Sequence, residues 1–450
     1  MVRSSQEDTI VAIASPSGEG AIALIRLSGK DAFPIADKVF SKSLHSFPSH
    51  TAHYGKILDQ HHQTIDHVLL LLMRAPHSYT GENTIEISCH GGSFVTEKIV
   101  EILCKAGARL AEPGEFSLRA FLNGKIDLAQ AEAVQQLIAS RSALALQNAG
   151  QQLEGSLSKK ILSFQKELVE IAAILEAVVD FPEEGLEFVT NLQILQRTET
   201  LAGKMEKLRD SFHDGRLLHE GILLCLVGTP NVGKSSVMNA LLKRERAIVT
   251  EIAGTTRDLL EEEMRWGRFH FRLLDTAGIR ETEELIEKEG IRRSRKAMQE
   301  ADLVLLLLDA SRPLSHEDHN LLKILPPTKT LVVWNKIDLA PPDPSLSSLG
   351  ISAKEGIGFE SLQKAIEDFL LSKDALAKEE VMITRLRHKE ALAEAHLSLQ
   401  AAIAGLQKQI SPEFLASDIR ASLHSLGTIL GMNITEEILN SIFSKFCLGK

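Results

Sequence analysis

The sequence predicts a multidomain protein that combines an N-terminal α+β domain, an all-α helical domain in two parts, and an α/β domain inserted between those parts. Short apolar runs with strand character and polar turns fill the first 118 residues. Helical periodicity runs from about residue 119 to 213 and returns near residue 385. Continuous apolar runs that end in polar loops lie between the two helical parts, as expected for a parallel sheet.

The expected boundaries follow from these changes of pattern. A length of 450 residues suits two to four domains. Insertion of one domain into another is tolerated where the termini of the inserted domain lie close together. We expect an α+β domain at 1–118, helical parts at 119–215 and 376–450, and the inserted domain at 216–375.

In the α+β segment, residues 10–14 and 21–27 predict two strands around a turn, and 68–73 and 84–89 predict two more. Alternation in the last of these puts Ile85, Ile87 and Cys89 on one face and Glu86, Ser88 and His90 on the other. A polar face of this kind is either solvated or lines a site.

One long helix is predicted before residue 181. Its apolar side chains recur at spacings of three and four residues, and the pattern stops at Phe181-Pro182. An ordinary helix-bundle core explains this seam. Its members are Ile161, Phe164, Leu168, Ile171, Leu175 and Val178.

Composition limits the function classes. The net charge of −10 disfavours broad phosphate binding, so any nucleic-acid contact is expected to be local or shared with a more basic partner. The four cysteines lack metal-ligand spacing and suit a reducing cytoplasm without structural zinc. No apolar run approaches a membrane span, and the N-terminus lacks the pattern of an export signal, so we expect a cytoplasmic protein.

The most informative motif is the run from Gly228 to Ser235, which fills every fixed position of the pattern G-x-x-x-x-G-K-[ST]. It follows an apolar run at 222–227 and precedes a helical pattern at 237–242. Glycines let backbone N–H groups turn toward phosphate oxygens, and the helix N-terminus adds partial positive charge. Lys234 is expected to reach the terminal phosphates, and the Ser235 hydroxyl to hold Mg²⁺.

Further parts of a nucleotide hydrolase follow in order. The strand pattern at 269–274 ends in Asp275-Thr-Ala-Gly278, where a carboxylate can hold Mg²⁺ through water and a glycine N–H can sense the γ-phosphate. The loop 254–258 between the two motifs carries Thr256, whose hydroxyl can coordinate the same Mg²⁺.

Base selection is predicted from two later motifs. The apolar runs 303–308 and 331–334 end at Asp309 and at Asn335-Lys336-Ile337-Asp338. An aspartate there can accept from guanine N1–H and N2–H₂, and the wrong base leaves this carboxylate unpaired at a cost of ~1–3 kcal/mol. Ser352-Ala353-Lys354 completes the pocket. These residues together predict a guanine-nucleotide domain of the Ras-like type.

One position departs from Ras-like enzymes. They carry a glutamine after the Asp-Thr-Ala-Gly-type motif to orient the attacking water, and this chain has Ile279. Isoleucine cannot hydrogen-bond water. This substitution, Asn231 and the loop 254–258 together resemble the potassium-dependent group that includes tRNA-modification and ribosome-assembly GTPases.

The rest of the chain resembles the tRNA-modification GTPases of the MnmE (TrmE) family. The segment 113–133 is similar to that family's most recognisable stretch, and so are the opening residues 8–12 and Ile25-Arg-Leu-Ser-Gly29. Ser78-Tyr-Thr-Gly-Glu82 running on to His90-Gly-Gly92 is similar too. The last residues, Cys447-Leu-Gly-Lys450, resemble the family's terminal Cys-Ile-Gly-Lys.

The resemblance implies a folate site and a full set of nucleotide ligands. It implies that Arg26, Glu86, Lys125 and Lys450 bind a tetrahydrofolate derivative, either 5-formyl- or methylene-tetrahydrofolate. Residues that the motifs and the resemblance assign to GTP are Asn231, Val232, Gly233, Lys234, Ser235, Ser236, Thr250, Glu251, Ile252, Ala253, Gly254, Thr255, Thr256, Asp275, Thr276, Ala277, Gly278, Asn335, Lys336, Asp338, Ser352, Ala353 and Lys354.

The resemblance also implies a catalytic arrangement. Glu287 would orient the attacking water through a second water, alongside Lys234 and Thr256. Mg²⁺ would be held by Ser235 and Thr256. K⁺ would be bound by Asn231, Thr250, Ile252 and Thr255, where other GTPases use an arginine finger.

The function implied is that of a homodimeric GTPase which works with an FAD-dependent MnmG (GidA)-type partner in a heterotetramer. Together they would add an aminomethyl or carboxymethylaminomethyl group at C5 of the wobble uridine of certain tRNAs, with the folate as one-carbon source. One alternative is a ribosome-assembly GTPase acting as an RNA-binding switch, although no KH-type G-x-x-G module follows residue 375. The other is a nucleotide-controlled scaffold without further chemistry.

Overall fold

The computed structural model describes residues 8–16, 18–180, 191–244, 261–274, 300–371 and 381–450. Contacts group the chain into two compact units, made of Met1–Gln135, Gln152–Leu195 and Leu397–Lys450 in the first and of Gln136–Gln151 and Gln196–His396 in the second. Each unit carries one mixed sheet with helices around it, which agrees with the predicted multidomain class. The exact domain boundaries stay a prediction.

The first unit begins with a six-stranded sheet, which packs against two helices. The order is β3-β4-β5-β2-β1-β6, and only the pair of β1 and β6 is parallel. Side chains of both helices join those of the strands in one buried core. The strands are β1 (Ile10–Ile13), β2 (Gly20–Ser28), β3 (Thr51–Leu58), β4 (Thr64–Met73), β5 (Thr84–Gly91) and β6 (Arg109–Leu110), and the helices are α1 (Ala32–Val39) and α2 (Ser93–Ala106).

Strand β5 shows the alternation that the sequence predicts. Ile85, Ile87 and Cys89 are buried in the sheet core, while Glu86 is half-buried and His90 is exposed. The polar side chain of Glu86 therefore lies on the face away from that core. This places it next to Arg26 of β2, its direct cross-strand partner.

Helices follow the sheet. The predicted seam lies on the longest of them, where Ile161, Phe164, Leu168, Ile171 and Leu175 are all buried; the side chain of Val178 lies outside the described residues. The helices are α3 (Glu115–Leu122), α4 (Leu128–Ala139), α5 (Ala143–Leu153), α6 (Ser156–Asp180), α7 (Asn191–Asp210) and α8 (Phe212–Glu220).

The second unit holds the other six-stranded sheet, in the order β12-β11-β10-β7-β9-β8. All pairs are parallel except that of β8 and β9 at one edge. The elements are β7 (Ile222–Val227), α9 (Lys234–Arg244), β8 (Glu261–Trp266), β9 (Phe269–Leu274), β10 (Leu303–Asp309), α10 (His316–Ile324), β11 (Thr330–Asn335), β12 (Gly350–Ile351) and α11 (Phe359–Leu371). The predicted strands 222–227 and 269–274 are confirmed without change.

Burial on both faces explains why β10 reads as one continuous apolar run. Leu303, Leu305 and Leu307 pack into the core on one face of the sheet, and Val304, Leu306 and Leu308 into the core on the other. A central parallel strand has no solvated face, so its sequence does not alternate. The carboxyl ends of β7, β10 and β11 meet at one edge, which is where ligands bind in sheets of this type.

The chain closes with α12 (Leu386–Gln407), α13 (Pro412–Leu430) and α14 (Glu436–Phe443). Helix α13 packs along α6, which lies on the other side of the inserted segment in sequence. Gln165 of α6 donates to the Leu423 carbonyl of α13 at 3.5 Å, and Arg420 of α13 pairs with Glu176 of α6. Among the described helices, none is long and apolar enough to cross a membrane.

Candidate functional site

The phosphate-binding motif forms the predicted strand, loop and helix. Strand β7 ends at Val227, the loop follows, and α9 begins at Lys234. Two backbone positions have left-handed φ values, +62° at Asn231 and +100° at Gly233. A Cβ at Gly233 would lie 2.4 Å from Asn335 Nδ2, so only glycine fits there without displacing that side chain. Val232 is buried, and Asn231, Ser235 and Ser236 are exposed.

Lys234 folds back over this loop. Its Nζ donates to the carbonyl of Gly228 at 2.8 Å and to that of Thr229 at 3.0 Å. Burial lowers the pKa of this lysine from its usual value. An ammonium group held on two carbonyls at a helix N-terminus concentrates positive charge where an anionic ligand can reach it.

Asn335 joins the phosphate loop to the two predicted base-binding segments. Its Nδ2 donates to the Val232 carbonyl at 2.8 Å, and its Oδ1 accepts from the Ala353 N–H at 3.2 Å. The side chain is buried, so both amide ends are satisfied inside the protein. The motifs at 231–236, 335–338 and 352–354, which are far apart in sequence, therefore meet at one edge of the sheet.

Lys336 is fixed by the strand beside it. Its backbone has a φ of +65°, and its Nζ pairs with Asp309 Oδ2 at 2.6 Å. Burial alone would raise the pKa of Asp309, but hydrogen bonds from Lys336 and Ser311 outweigh it and lower that pKa. The carboxylate at the end of β10 therefore stays ionised and orients the lysine of the predicted base-binding loop.

The remaining residues predicted for the base pocket follow the same two strands. Asp338 is exposed in the turn after β11, which is compatible with the base-reading role predicted for it. Ser352 is fully buried, and its backbone N–H bonds to the Ile357 carbonyl at 3.0 Å. Lys354 is exposed and lies 3.6 Å from Glu355.

Several predicted site residues lie outside the described part of the chain. The group comprises the loop threonines and their neighbours, the Asp-Thr-Ala-Gly motif and the glutamate assigned to the attacking water. Its members are Thr250, Glu251, Ile252, Ala253, Gly254, Thr255, Thr256, Asp275, Thr276, Ala277, Gly278 and Glu287.

Two residues behind the phosphate loop, Arg312 and Asp318, were not predicted from the sequence, and both contact Thr229 of the loop. The Thr229 hydroxyl donates to Asp318 Oδ1 at 3.1 Å and accepts from Arg312 Nη2 at 2.8 Å. Asp318 also forms a capping box with Ser315 at the start of α10. The spacing of Ser315 and Asp318 is a signal for a helix start, but it does not indicate contact with Thr229.

The first unit carries a second group of polar residues. Arg26 and Glu86 face each other across β2 and β5, with Arg26 Nε 2.9 Å and Nη2 2.8 Å from Glu86 Oε1. The Arg26 guanidinium carbon also lies 5.6 Å from the ring centre of Tyr79 and 5.7 Å from that of Phe116. The result is a largely buried ion pair between aromatic rings. The sequence had not pointed to either ring.

The C-terminal residues are seated against this pair. Arg26 Nη1 donates to the Gly449 carbonyl at 3.2 Å, and the Phe116 N–H donates to the Lys450 carbonyl at 3.2 Å. A Cβ at Gly449, whose φ is +86°, would lie 2.5 Å from the Ile13 carbonyl oxygen. Burial, with the charge of Arg26, lowers the pKa of the Lys450 side chain.

Lys125 lies beside the loop that precedes β5. Its Nζ donates to the Pro76 carbonyl at 3.1 Å, and its Cγ lies 3.2 Å from where a Cβ of Gly81 would be. Of the four residues expected at a folate site, Arg26 and Glu86 contact each other and the tail ending in Lys450 reaches them. Lys125 is held separately on the Pro76 carbonyl.

Comparison with known proteins gives full-length relatives. The chain is 56% identical over 447 residues to the tRNA modification GTPase MnmE of Protochlamydia amoebophila, covering 98% of each chain. It is 44% identical to the protein of that name from Chlamydia trachomatis, covering 99% of this chain and 100% of the relative. The Thermoanaerobacter pseudethanolicus protein of the same name is 42% identical, with 98% and 99% covered.

A solved structure is similar to part of the chain. Era of Aquifex aeolicus bound to GDP and aluminium fluoride matches 39% of this chain and 66% of that chain, at 25% identity. The TM-score of this match is 0.27.

Two family models match adjoining parts of the sequence. The model of the GTP-binding protein TrmE N-terminus matches residues 9–125, and the model of the MnmE helical domain matches residues 128–447. The second match spans the phosphate loop as well as the helices on both sides of it. Together with the full-length relatives, these matches show that the chain belongs to the MnmE family of tRNA modification GTPases.

Proposed function

We propose that the chain modifies the wobble uridine of certain tRNAs, at the cost of GTP hydrolysis and together with an FAD-dependent MnmG-type partner. The group added at C5 would be an aminomethyl or carboxymethylaminomethyl group. The observation that carries this proposal is the seating of the C-terminal residues on Arg26, which pairs in turn with Glu86. Three segments distant in sequence build a polar, aromatic-lined site that GTP hydrolysis itself does not require.

This site fits a reduced folate by the chemistry of its groups. A carboxylate such as Glu86 can pair with the amidine-like edge of a pterin, and arginine or lysine suits the anionic glutamate tail. The Tyr79 and Phe116 rings beside Arg26 offer apolar faces to a flat heterocycle. A bound tetrahydrofolate derivative would supply the one-carbon unit. Arg26, Glu86 and Lys450 would bind and orient it, and Lys125 would meet its anionic end.

The second unit would bind and hydrolyse GTP with Mg²⁺. The loop 228–235 fits a phosphate group because it turns, with left-handed backbone at Gly233, into the N-terminus of α9, where Lys234 supplies a cation. Asp338 would read guanine, with Asn335 and the Ser352-Ala353-Lys354 segment shaping the pocket. Ser235 and Thr256 would hold Mg²⁺, which neutralises charge on the phosphates. Glu287 would position the attacking water, since Ile279 cannot.

K⁺ would be a further cofactor of this step. Of its proposed ligands, Asn231 lies among the described residues. It is exposed in the phosphate loop, and its backbone has a left-handed φ. The other proposed ligands are Thr250, Ile252 and Thr255. A cation there would stabilise charge that develops between the β- and γ-phosphates.

The assembly proposed is a homodimer that joins an MnmG-type protein in a heterotetramer and acts on tRNA in the cytoplasm. One alternative function is that of a ribosome-assembly switch, and the other is that of a nucleotide-controlled scaffold. All three readings include GTP binding, so nucleotide assays do not separate them.

Nucleoside mass spectrometry separates them. In a strain that lacks the gene, the C5-modified wobble uridine should disappear from total tRNA, and a plasmid carrying this chain should restore it. An unchanged level of the modified nucleoside in the deletion strain would contradict the proposed function.

A further inference from the structure

The Thr229 side chain lies behind the phosphate loop and is hydrogen-bonded in two directions. Its hydroxyl donates to Asp318 Oδ1 at 3.1 Å and accepts from Arg312 Nη2 at 2.8 Å. Thr229 is 6% exposed and Asp318 is 1% exposed, so solvent competes little for these bonds. The first variable residue of the loop is therefore fixed to the start of α10 and to the segment before it.

Asp318 is itself held by several donors. Its Oδ2 accepts from the Ser315 backbone N–H at 2.9 Å, from the Ser315 hydroxyl at 2.7 Å and from Arg312 Nη1 at 3.1 Å. Burial would raise the pKa of this carboxyl, but its hydrogen bonds and the charge of Arg312 outweigh it and lower that pKa. A buried carboxylate with this many donors has a fixed position from which to hold Thr229.

The backbone of the same threonine holds the lysine of the motif. The Thr229 carbonyl accepts from Lys234 Nζ at 3.0 Å, next to the Gly228 carbonyl at 2.8 Å. The side chain of Thr229 is thus anchored on one side while its carbonyl receives the Lys234 ammonium on the other. A shift of Thr229 would therefore move its carbonyl and the Lys234 ammonium together.

We propose that Asp318 and Arg312 are positioning residues for GTP binding, which act through Thr229 to fix the phosphate loop and the starting position of Lys234. The inference rests on the proposed role of the loop 228–235 in binding GTP. A loop that is already in its binding conformation loses less entropy when the ligand arrives, so removing the anchor should weaken binding.

The same network extends toward the base-binding loop. Arg312 Nε lies 3.9 Å from Asp309 Oδ2, and that oxygen pairs with Lys336 Nζ at 2.6 Å. Arg312 therefore lies between Asp318, which fixes the phosphate loop, and Asp309, which fixes Lys336. Arg312 is the more exposed member, at 36% of its side chain, and so it tolerates substitution more readily than Asp318.

The test compares Thr229→Val with Thr229→Ser in the full chain. Valine keeps the shape but removes the hydroxyl and both of its anchoring bonds, so GTP must order the loop as it binds and its dissociation constant should rise about tenfold. Serine keeps the hydroxyl and should bind within about threefold of the original affinity. Isothermal titration measures both, and single-turnover hydrolysis should show a smaller change in rate than in affinity.

Ser315→Ala is the matched structural control. It removes the hydroxyl bonds at the same helix start, but Asp318 keeps three donors, the Ser315 backbone N–H, Arg312 and Thr229, so the anchor stays in place. It should lower the melting temperature and leave GTP affinity within about threefold. If Thr229→Val unfolds the chain, Arg312→Met replaces it, because that exposed substitution removes the other bond to the hydroxyl and should also weaken GTP binding.

Two results would overturn the inference: a GTP affinity of Thr229→Val within threefold of the original, or an equal loss in Ser315→Ala. Lys234→Ala separates this from failure of the site assignment. If Lys234→Ala binds GTP normally, the loop is not the GTP site and the premise is wrong. If Lys234→Ala loses GTP while Thr229→Val does not, the site stands and the anchoring role is wrong.

Discussion

The phosphate loop and the Arg26–Glu86 site are built in opposite ways. The loop is one continuous run between β7 and α9. It is positive because the Lys234 ammonium adds to the partial positive charge of the helix N-terminus. The other site joins residues 60 and 423 positions apart, and its central charges cancel in an ion pair between two aromatic rings. The first suits a strongly anionic ligand, and the second suits a flat ligand with both donor and acceptor edges.

The difference also separates the expected effects of mutation. Changes in the phosphate loop should act on nucleotide chemistry. Changes around Arg26 should act on tRNA modification and spare GTP hydrolysis.

The largest effect is expected for Lys234→Ala. It removes the cation that we place on the terminal phosphates, and loss of one such electrostatic contact costs about 10²–10³ in rate. GTP turnover measured by phosphate release should fall by at least that factor. Lys243→Ala is the control, because this exposed lysine lies at the other end of the same helix α9. A similar loss in Lys243→Ala would point to general charge rather than to the loop.

The next effect concerns potassium. GTP turnover should be about 10–10²-fold faster in KCl than in NaCl at equal ionic strength. A bound K⁺ would stabilise the negative charge that develops on the phosphates during hydrolysis. Asn231→Ala should remove most of the difference. Equal rates in the two salts would show that Asn231 does not serve a potassium site.

A change of similar size is expected in base choice. Asp338→Asn exchanges an acceptor for a donor opposite guanine N1–H, and an unsatisfied polar pair costs ~1–3 kcal/mol, or roughly 10–100-fold in affinity. GTP should bind more weakly and xanthosine triphosphate more tightly. Asp343→Asn, at an exposed aspartate of the following loop, should leave both affinities unchanged. Unaltered GTP binding by Asp338→Asn would remove this residue from the pocket.

The smallest effect concerns His270 of β9. It is buried, with Nε2 3.6 Å from Glu263, and burial together with nearby arginines lowers its pKa to about 4. Between pH 6.5 and pH 4 this histidine is therefore protonated in the unfolded chain and neutral in the folded chain. The contribution of neutral His270 to stability is fully present above pH 6.5 and is lost as the pH falls toward 4. The loss from pH 7 to pH 5 should be roughly 2 kcal/mol.

Melting temperatures across this pH range check the point. His270→Phe should flatten the dependence on pH, and His213→Gln, at an exposed histidine of the same unit, should not. If His270→Phe melts with the same slope as the original chain, burial of His270 does not set the acid sensitivity.

Local patterns were sufficient for most of the second unit. The strands 222–227 and 269–274, the phosphate loop and the segments that Asn335 joins were predicted from apolar runs and motif spacing alone. Such sites are legible because parallel strands bring their carboxyl ends to one edge, so motifs after successive strands must meet. What the spacing did not predict was Asp318, because its contact with Thr229 depends on how α10 packs.

The first unit shows the opposite case. Alternation along β5 predicted that Glu86 faces away from the sheet core, but neither its pairing with Arg26 nor the rings of Tyr79 and Phe116 followed from the pattern. Cross-strand register decides which polar side chains meet, and register is set by the whole sheet. The docking of the tail is a contact over 423 positions, which no local periodicity encodes. The resemblance to a family, rather than periodicity, pointed to Lys450.

The measurement that tests the account most directly is deletion of residues 447–450, with two readouts on one protein. The last residues of a chain are usually poorly ordered, but here the carbonyls of Gly449 and Lys450 accept hydrogen bonds from Arg26 and Phe116. The truncated chain should hydrolyse GTP in KCl at nearly the original rate and should fail to restore C5-modified wobble uridine in the deletion strain. A truncated chain that restores the modified uridine to the full level, by nucleoside mass spectrometry, would contradict the proposed role of the Arg26–Glu86 site.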